Sequence, residues 1–219
     1  MHGIYNFITG PLCWFAFIVF FGGLIAKFVS LYNLTRQKDQ MVFSYLSFGF
    51  ALRSIIMWLI PYVPVNARRH PVMFGVTYVF HVCLLVAPVF LAAHVMMLKD
   101  GVGLSWATVS DSTADVMTML IIASLVFFAV RRMVLPEAKY VTSAKEYGLL
   151  LLVAAPFVTG FLAYNQIFDY QVMIILHILS GELMLIAIPF TWLAHMILAP
   201  MVRAYMGSEF GAVRHAKDW

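Results

Sequence analysis

The chain has 219 residues, of which 63% are hydrophobic and only 11% are charged, whereas an ordinary soluble domain carries about 25% charged residues. So few charges cannot cover a water-facing surface, which excludes a soluble globular enzyme, a disordered chain and a fibrous repeat. An integral membrane protein remains. At about 20 residues per membrane helix, the length allows several spans but no large domain outside the membrane.

The predicted fold is all-α, a polytopic membrane helix bundle that forms a single domain over residues 1–219. Apolar runs between charged residues predict six transmembrane helices, at 11–34, 41–62, 71–98, 114–134, 145–164 and 170–202. These runs are too long for barrel strands and lack period-two alternation. The amino-terminal segment has neither the basic region nor the cleavage site of a signal peptide, so we interpret it as part of the mature protein.

The distribution of lysine and arginine predicts the orientation. Six spans place both termini on one side, and nine of these residues lie on that side against four on the other. Cytoplasmic loops are enriched in positive charge, so we expect an inner-membrane protein with both termini in the cytoplasm. The net charge of +4 then reflects topology, and no nucleic-acid-binding motif accompanies it.

Four of the seven histidines lie inside predicted spans, His81 and His94 on the third helix and His177 and His195 on the sixth. Ionisable groups inside a membrane are costly and usually functional, and imidazole is a common axial ligand of haem iron. The two helices run antiparallel, which places His81 level with His195 on the cytoplasmic side and His94 level with His177 on the outer side. This arrangement suits two bis-histidine haems stacked across the membrane.

The spacing of the two histidines places them on a common face of the sixth predicted helix but not of the third. His177 and His195 are 18 residues apart, which is five full turns of an ideal helix, so they share a face. His81 and His94 are 13 apart and miss a common face by about 140°, although a kink at Pro88 would change the phase. His70 is about 20° out of phase with His81 and is an alternative ligand at the membrane edge. A packed, hydrogen-bonded core histidine is the alternative interpretation for each position.

Two segments resemble a known family. ILHILSGELMLIAIPFTWLAHMILAPMVRAYM resembles the last helix of the respiratory nitrate reductase gamma subunit, where two haem-ligating histidines are also 18 residues apart. VFHVCLLVAPVFLAAHV resembles the other ligand helix of that family. The resemblance implies a cytochrome b with two haem b groups, whose iron is ligated by the side chains of His81, His94, His177 and His195.

The chain departs from that family in two respects, since the family subunit has five spans and its first pair of histidines is closer together. These departures make the chain look more like cytochrome b subunits of sulfate-reducer transmembrane redox complexes and membrane-bound heterodisulfide reductases. Such relatives connect a periplasmic multihaem cytochrome c or a quinone pool to a cytoplasmic iron–sulfur subunit. The resemblance therefore implies these partners, besides membrane lipid.

Two further polar residues lie in predicted spans, Arg53 on the second helix and Glu182 on the sixth. An unpaired charge near the bilayer centre costs about 2.5–3.5 kcal/mol on insertion scales, so both should face the bundle interior. Arg53 is a candidate cofactor-binding residue, in contact with a haem propionate or a quinone such as menaquinone. The structural alternative for Arg53 is an ion pair with Glu182 or capping of free carbonyls. Glu182 could otherwise relay protons during quinol oxidation.

The expected function is electron transfer across the membrane by one subunit of an oxidoreductase complex. We assign no catalytic residues, because loops this short cannot house a complete catalytic centre. Two alternatives belong to other classes: a haem-free six-helix transporter with the histidines, Arg53 and Glu182 along a polar pathway, or a structural membrane anchor of a redox complex without cofactors.

Overall fold

The computed structural model of the chain describes the backbone of residues 2–219 and the side chains of residues 3–219. Within these residues every regular element is helical. The α-helices, in chain order, are α1 (His2–Phe7), α2 (Cys13–Lys38), α3 (Val42–Tyr45), α4 (Phe48–Leu59), α5 (Val65–Arg69), α6 (Pro71–Phe90), α7 (Ala92–Val102), α8 (Asp111–Val134), α9 (Pro136–Tyr140), α10 (Ala144–Tyr164), α11 (Tyr170–Ala187) and α12 (His195–Ser208). The predicted all-α class is confirmed.

Five helical stretches within residues 2–219 are long and apolar enough to cross a membrane. They are Gly3–Lys38, Pro71–Phe90, Asp111–Val134, Ala144–Tyr164 and Tyr170–Phe190. The shortest has 20 residues, which at 1.5 Å per residue matches an apolar layer of about 30 Å. The chain is therefore a multi-pass membrane protein.

The segment expected to form a second span, residues 41–62, differs from the prediction. It forms the single turn α3 and the 12-residue helix α4, separated by extended backbone at Leu46 and Ser47. Pro61 follows α4, and Ile60 has the extended conformation that a residue before proline prefers. A 12-residue helix is about 18 Å long, which is too short to cross the membrane.

Two of the predicted helices are interrupted. The one expected at 71–98 breaks at Leu91, whose ψ of 131° is extended, so that α6 and α7 are separate helices. The one expected at 170–202 leaves α-helical geometry at Ile188, passes through two 3₁₀ turns around the extended residue Thr191, and resumes with α12. Proline explains the second break, because Pro189 lacks the amide hydrogen needed by the helical ladder and disfavours helical geometry at Ile188. Pro88 lies inside α6, which continues to Phe90, and the first break falls three residues after it at Leu91.

The chain divides into two compact units. Residues 75–181 form the first unit, and residues 2–74 with residues 182–219 form the second. In the first unit α8 packs against α10. An edge-to-face contact between Phe80 and Phe128, with ring centroids 5.4 Å apart, joins α6 to α8. The hydroxyls of Thr159 and Ser180 lie 3.4 Å apart and join α10 to α11.

In the second unit α4 packs closely against α12. Ser208 on α12 bonds to Ser47 just before α4, since its Oγ accepts from the Ser47 amide at 3.1 Å and lies 3.2 Å from the Ser47 carbonyl. Gly207 permits the close approach, because a Cβ added there would lie 2.3 Å from Ser54 Cβ and 2.8 Å from the Phe50 carbonyl oxygen. Ser54 is fully buried in this contact.

Replacing Gly207 with alanine is therefore expected to destabilise the α4–α12 contact. Overpacking of this kind costs about 1–3 kcal/mol, since neither Ser54 Cβ nor the Phe50 backbone can yield easily. The melting temperature of the detergent-solubilised protein, followed by the loss of its monodisperse chromatographic peak, should fall. Gly49→Ala in α4 is the matched control, because nothing lies within 4 Å of its added Cβ. Equal melting temperatures for the two variants would contradict the contact.

Candidate functional site

The rings of His94 on α7 and His177 on α11 lie together in the first unit. Their planes are inclined by only 10° and their centroids are 5.9 Å apart. The structure thus brings together the pair that the sequence places at the outer level. These two side chains would be the ones to hold a haem iron, to which imidazole is a common ligand.

A backbone carbonyl orients each of these two rings. His94 Nδ1 lies 2.8 Å from the carbonyl oxygen of Pro88, and His177 Nδ1 lies 2.8 Å from that of Pro156. A carbonyl oxygen only accepts hydrogen bonds, so both Nδ1 atoms donate and each neutral ring keeps its lone pair on Nε2. Metal-ligating histidines are usually oriented in this way, by a hydrogen bond from the nitrogen that does not bind the metal.

The helix break at Leu91 makes the first of these hydrogen bonds possible. In an unbroken helix the Pro88 carbonyl would accept from the amide four residues later. Extended backbone at Leu91 takes this carbonyl out of the regular ladder, and the His94 side chain bonds to it instead. The kink was expected at Pro88, whereas the helix continues through Pro88 and breaks at Leu91. The 13-residue phase difference does not apply, because His81 and His94 lie on different helices.

A glycine on the neighbouring helix α10 leaves room for the imidazole ring of His177. Gly160 on α10 lies against the imidazole, and a Cβ added there would be 2.9 Å from Nδ1 and 3.0 Å from Cε1 of His177. Gly160 also lies one turn after Pro156, which supplies the carbonyl acceptor. Neither residue was singled out from the sequence; a proline and a glycine four residues apart in an apolar helix were the available signal.

The other two candidate histidines show the same hydrogen bond from Nδ1 to a backbone carbonyl. His81 Nδ1 lies 2.7 Å from the Thr77 carbonyl oxygen, one turn earlier on α6. His195 Nδ1 lies 2.9 Å from the carbonyl of Trp192 in the preceding 3₁₀ turn. His81 belongs to the first unit and His195 to the second, so their pairing at the inner level stays a prediction. The common face of His177 and His195 was derived from an unbroken helix, which the structure interrupts between them, so it too stays a prediction.

Like His94 and His195, the alternative ligand His70 lies outside the five long helical stretches. It is the exposed residue between α5 and α6 in the second unit, and its amide donates to the Asn66 carbonyl. Among residues 3–219 no three or more histidine, cysteine, aspartate or glutamate side chains gather as a metal site. A haem needs only two protein ligands, since the porphyrin nitrogens supply the others.

Arg53 lies in α4 in the second unit, where its guanidinium carbon is 4.8 Å from the Phe50 ring centroid and 5.0 Å from that of Trp219. The ion pair with Glu182 does not form within the described residues: both carboxylate oxygens of Glu182 are buried there without a hydrogen-bond partner. The ion pairs found in that part of the chain are Arg203–Asp218 and Arg214–Glu209. The role of Arg53 toward a propionate or quinone stays a prediction.

The carboxyl-terminal residues beside Arg53 are fixed to α4 and α12. The hydroxyl of Ser54 donates to Asp218 Oδ2 at 2.5 Å, and Trp58 Nε1 donates to the Asp218 backbone oxygen at 3.2 Å. Arg203 pairs with the same carboxylate at 3.5 Å and stacks over the Trp58 ring at 4.2 Å. Sequence reasoning missed this group, because nothing in the local pattern connects residue 218 to α4.

The fold defines an all-helical, multi-pass membrane protein in which the rings of His94 and His177 lie next to each other. Over 215 residues the chain is 36% identical to a protein of Nitratidesulfovibrio vulgaris, covering 96% of this chain and 95% of that protein. The chain belongs to the same family as that protein. No protein-family model matches the chain, and no solved structure matches it.

Proposed function

We propose that this chain is a membrane cytochrome b subunit that carries two b haems and transfers electrons across the membrane. The observation that carries the proposal is the His94–His177 pair, with nearly parallel rings 5.9 Å apart and an Nδ1 hydrogen bond on each ring. The resemblance of both histidine segments to the nitrate reductase gamma subunit supports the same conclusion.

In this proposal His94 and His177 hold the outer haem, and His81 and His195 hold the inner haem. A bound haem supplies an iron that accepts and releases one electron at a time. The Nδ1 hydrogen bonds fix the tautomer and the ring orientation, and they make each imidazole a stronger electron donor. The partners would be a periplasmic multihaem cytochrome c or quinone pool outside and an iron–sulfur subunit in the cytoplasm, with menaquinone as a candidate additional cofactor.

The five long helices change the proposed topology in the inner membrane. With five crossings the termini lie on opposite sides. Twelve of the fourteen lysines and arginines then lie on the same side of the membrane as the carboxyl terminus, either in loops or at the ends of spans on that side. Of the other two, Lys99 lies on the opposite side and Lys27 lies within the first helix. Positive charge marks the cytoplasm, so the carboxyl terminus is cytoplasmic and the amino terminus is outside. This five-span topology replaces the predicted six-span topology, in which both termini were cytoplasmic. It has the same number of spans as the nitrate reductase gamma subunit.

Cysteine labelling in spheroplasts distinguishes the two topologies. In a variant whose native cysteines are replaced by alanine, Gln40→Cys should resist a membrane-impermeant maleimide until the cells are permeabilised, because five crossings place residue 40 in the cytoplasm. Ser105→Cys, which is outside in both topologies, is the control and should react at once. Immediate labelling of residue 40 would restore the six-span order.

The test of the function is the haem content of the purified protein. A pyridine haemochrome assay should give about two protohaems per chain, since four histidines form two pairs of axial ligands. A reduced spectrum with b-type absorption bands should accompany it. Colourless protein from cells that synthesise haem normally would favour the haem-free transporter or the structural anchor instead.

A further inference from the structure

Helix α4 presents an apolar stripe that no part of its own unit covers. Phe48, Leu52, Ile56 and Leu59 are all exposed, with 82% of Phe48 and 65% of Leu59 accessible. Residues four apart on a helix are offset by about 40°, so these side chains form one continuous face. The opposite side of α4 is the one that packs on α12, through Ala51 and Ser54, which are buried.

The position of α4 in the chain restricts what can cover this face. The preceding span ends at Lys38 and the following span begins at Pro71, so both ends of the intervening segment are attached to the membrane. The helix is about 18 Å long and cannot cross an apolar layer of about 30 Å. Nine residues separate Lys38 from Phe48, and those of α3 are helical, so the tether keeps α4 near the membrane surface.

We propose that α4 lies in the membrane interface on the cytoplasmic side, with its apolar stripe inserted among phospholipid acyl chains. An amphipathic helix inserts its apolar face about 5–10 Å into the boundary between headgroups and chains. Exposed cations lie at the ends of helices before and after α4 in the chain, Arg36 and Lys38 on α2 and Arg69 on α5, and such cations suit the phosphates of anionic headgroups. The attachment of α4 to spans at both ends favours lipid over a second copy of the chain or another protein. The inference rests on the five-span topology and does not depend on haem.

Depth-dependent fluorescence quenching tests this placement. Phe48→Cys, Leu52→Cys and Ile56→Cys are made one at a time in a background with Cys13→Ala and Cys83→Ala, labelled with bimane, and reconstituted into vesicles of phosphatidylethanolamine and phosphatidylglycerol. A nitroxide lipid labelled near the headgroup should quench all three about twofold more than one labelled near the chain end, as expected for shallow insertion. Val126→Cys, exposed in the middle of α8, is the deep control with the opposite preference.

Three results would overturn the placement. Stronger quenching at all three positions by the chain-end nitroxide would make α4 part of a crossing helix, and the five-span topology would fall with it. Efficient quenching by aqueous iodide, with no quenching by either nitroxide lipid, would show that the apolar stripe faces water and is available to a protein partner. Disulfide cross-linking between copies at these positions would assign it to a dimer contact. Haem content is read separately on the same samples, so a colourless protein with shallow quenching removes the haem proposal and keeps this one.

Discussion

Replacing His177 with alanine should lower the haem content of the purified protein from about two protohaems per chain to about one, because in the proposed arrangement each haem has its own histidine pair. His94→Ala should remove the same haem, since the two rings lie 5.9 Å apart and would share one iron. The double variant should therefore also keep about one haem, a strongly non-additive result for residues that act as a unit. Pyridine haemochrome assays on protein purified in parallel measure all three.

The control for this series is His70→Ala, because His70 is exposed between α5 and α6 and should leave the content unchanged at about two haems. A double variant without any haem would show that His94 and His177 serve different irons. Loss of one haem in His70→Ala would make that residue a ligand in place of one of the four.

Replacing Gly160 with alanine should weaken the outer haem without removing any ligand. The added methyl group would lie 2.9 Å from His177 Nδ1, so the ring must tilt and its hydrogen bond to the Pro156 carbonyl lengthens. Strain of about 1–3 kcal/mol is typical of such overpacking, which corresponds to a fall of about 5- to 150-fold in haem affinity. Haem retention after washing in detergent measures this fall.

Gly148→Ala is the matched control on the same helix, because nothing lies within 4 Å of its added Cβ and alanine is the better helix former. A low-temperature electron paramagnetic resonance spectrum adds a second measurement, since the low-field signal of a bis-imidazole haem depends on the relative orientation of the two rings. An unchanged spectrum and unchanged haem retention in Gly160→Ala would show that Gly160 does not position His177.

Apolar composition explains why much of the fold could be predicted from local sequence. The runs at 114–134 and 145–164 agree with α8 and α10 to within a few residues, because a membrane helix is specified by a long stretch without charge. The prediction of a transmembrane helix at 41–62 was wrong, because hydropathy does not distinguish a span from a short apolar helix packed on another helix. Ser47 and Ser54 in this segment hydrogen-bond to Ser208 and Asp218, and only the folded chain shows these bonds.

The histidine positions show the same division between local and tertiary information. The sequence by itself determined that the chain is helical and membrane-embedded and that four histidines lie in its apolar segments, because these properties depend on composition and order along the chain. Only the tertiary structure decided that His94 and His177 face each other, with Pro88, Pro156 and Gly160 around them. Their geometry depends on a helix break at Leu91 and on the approach of α10 to α11, and neither follows from an ideal helical period.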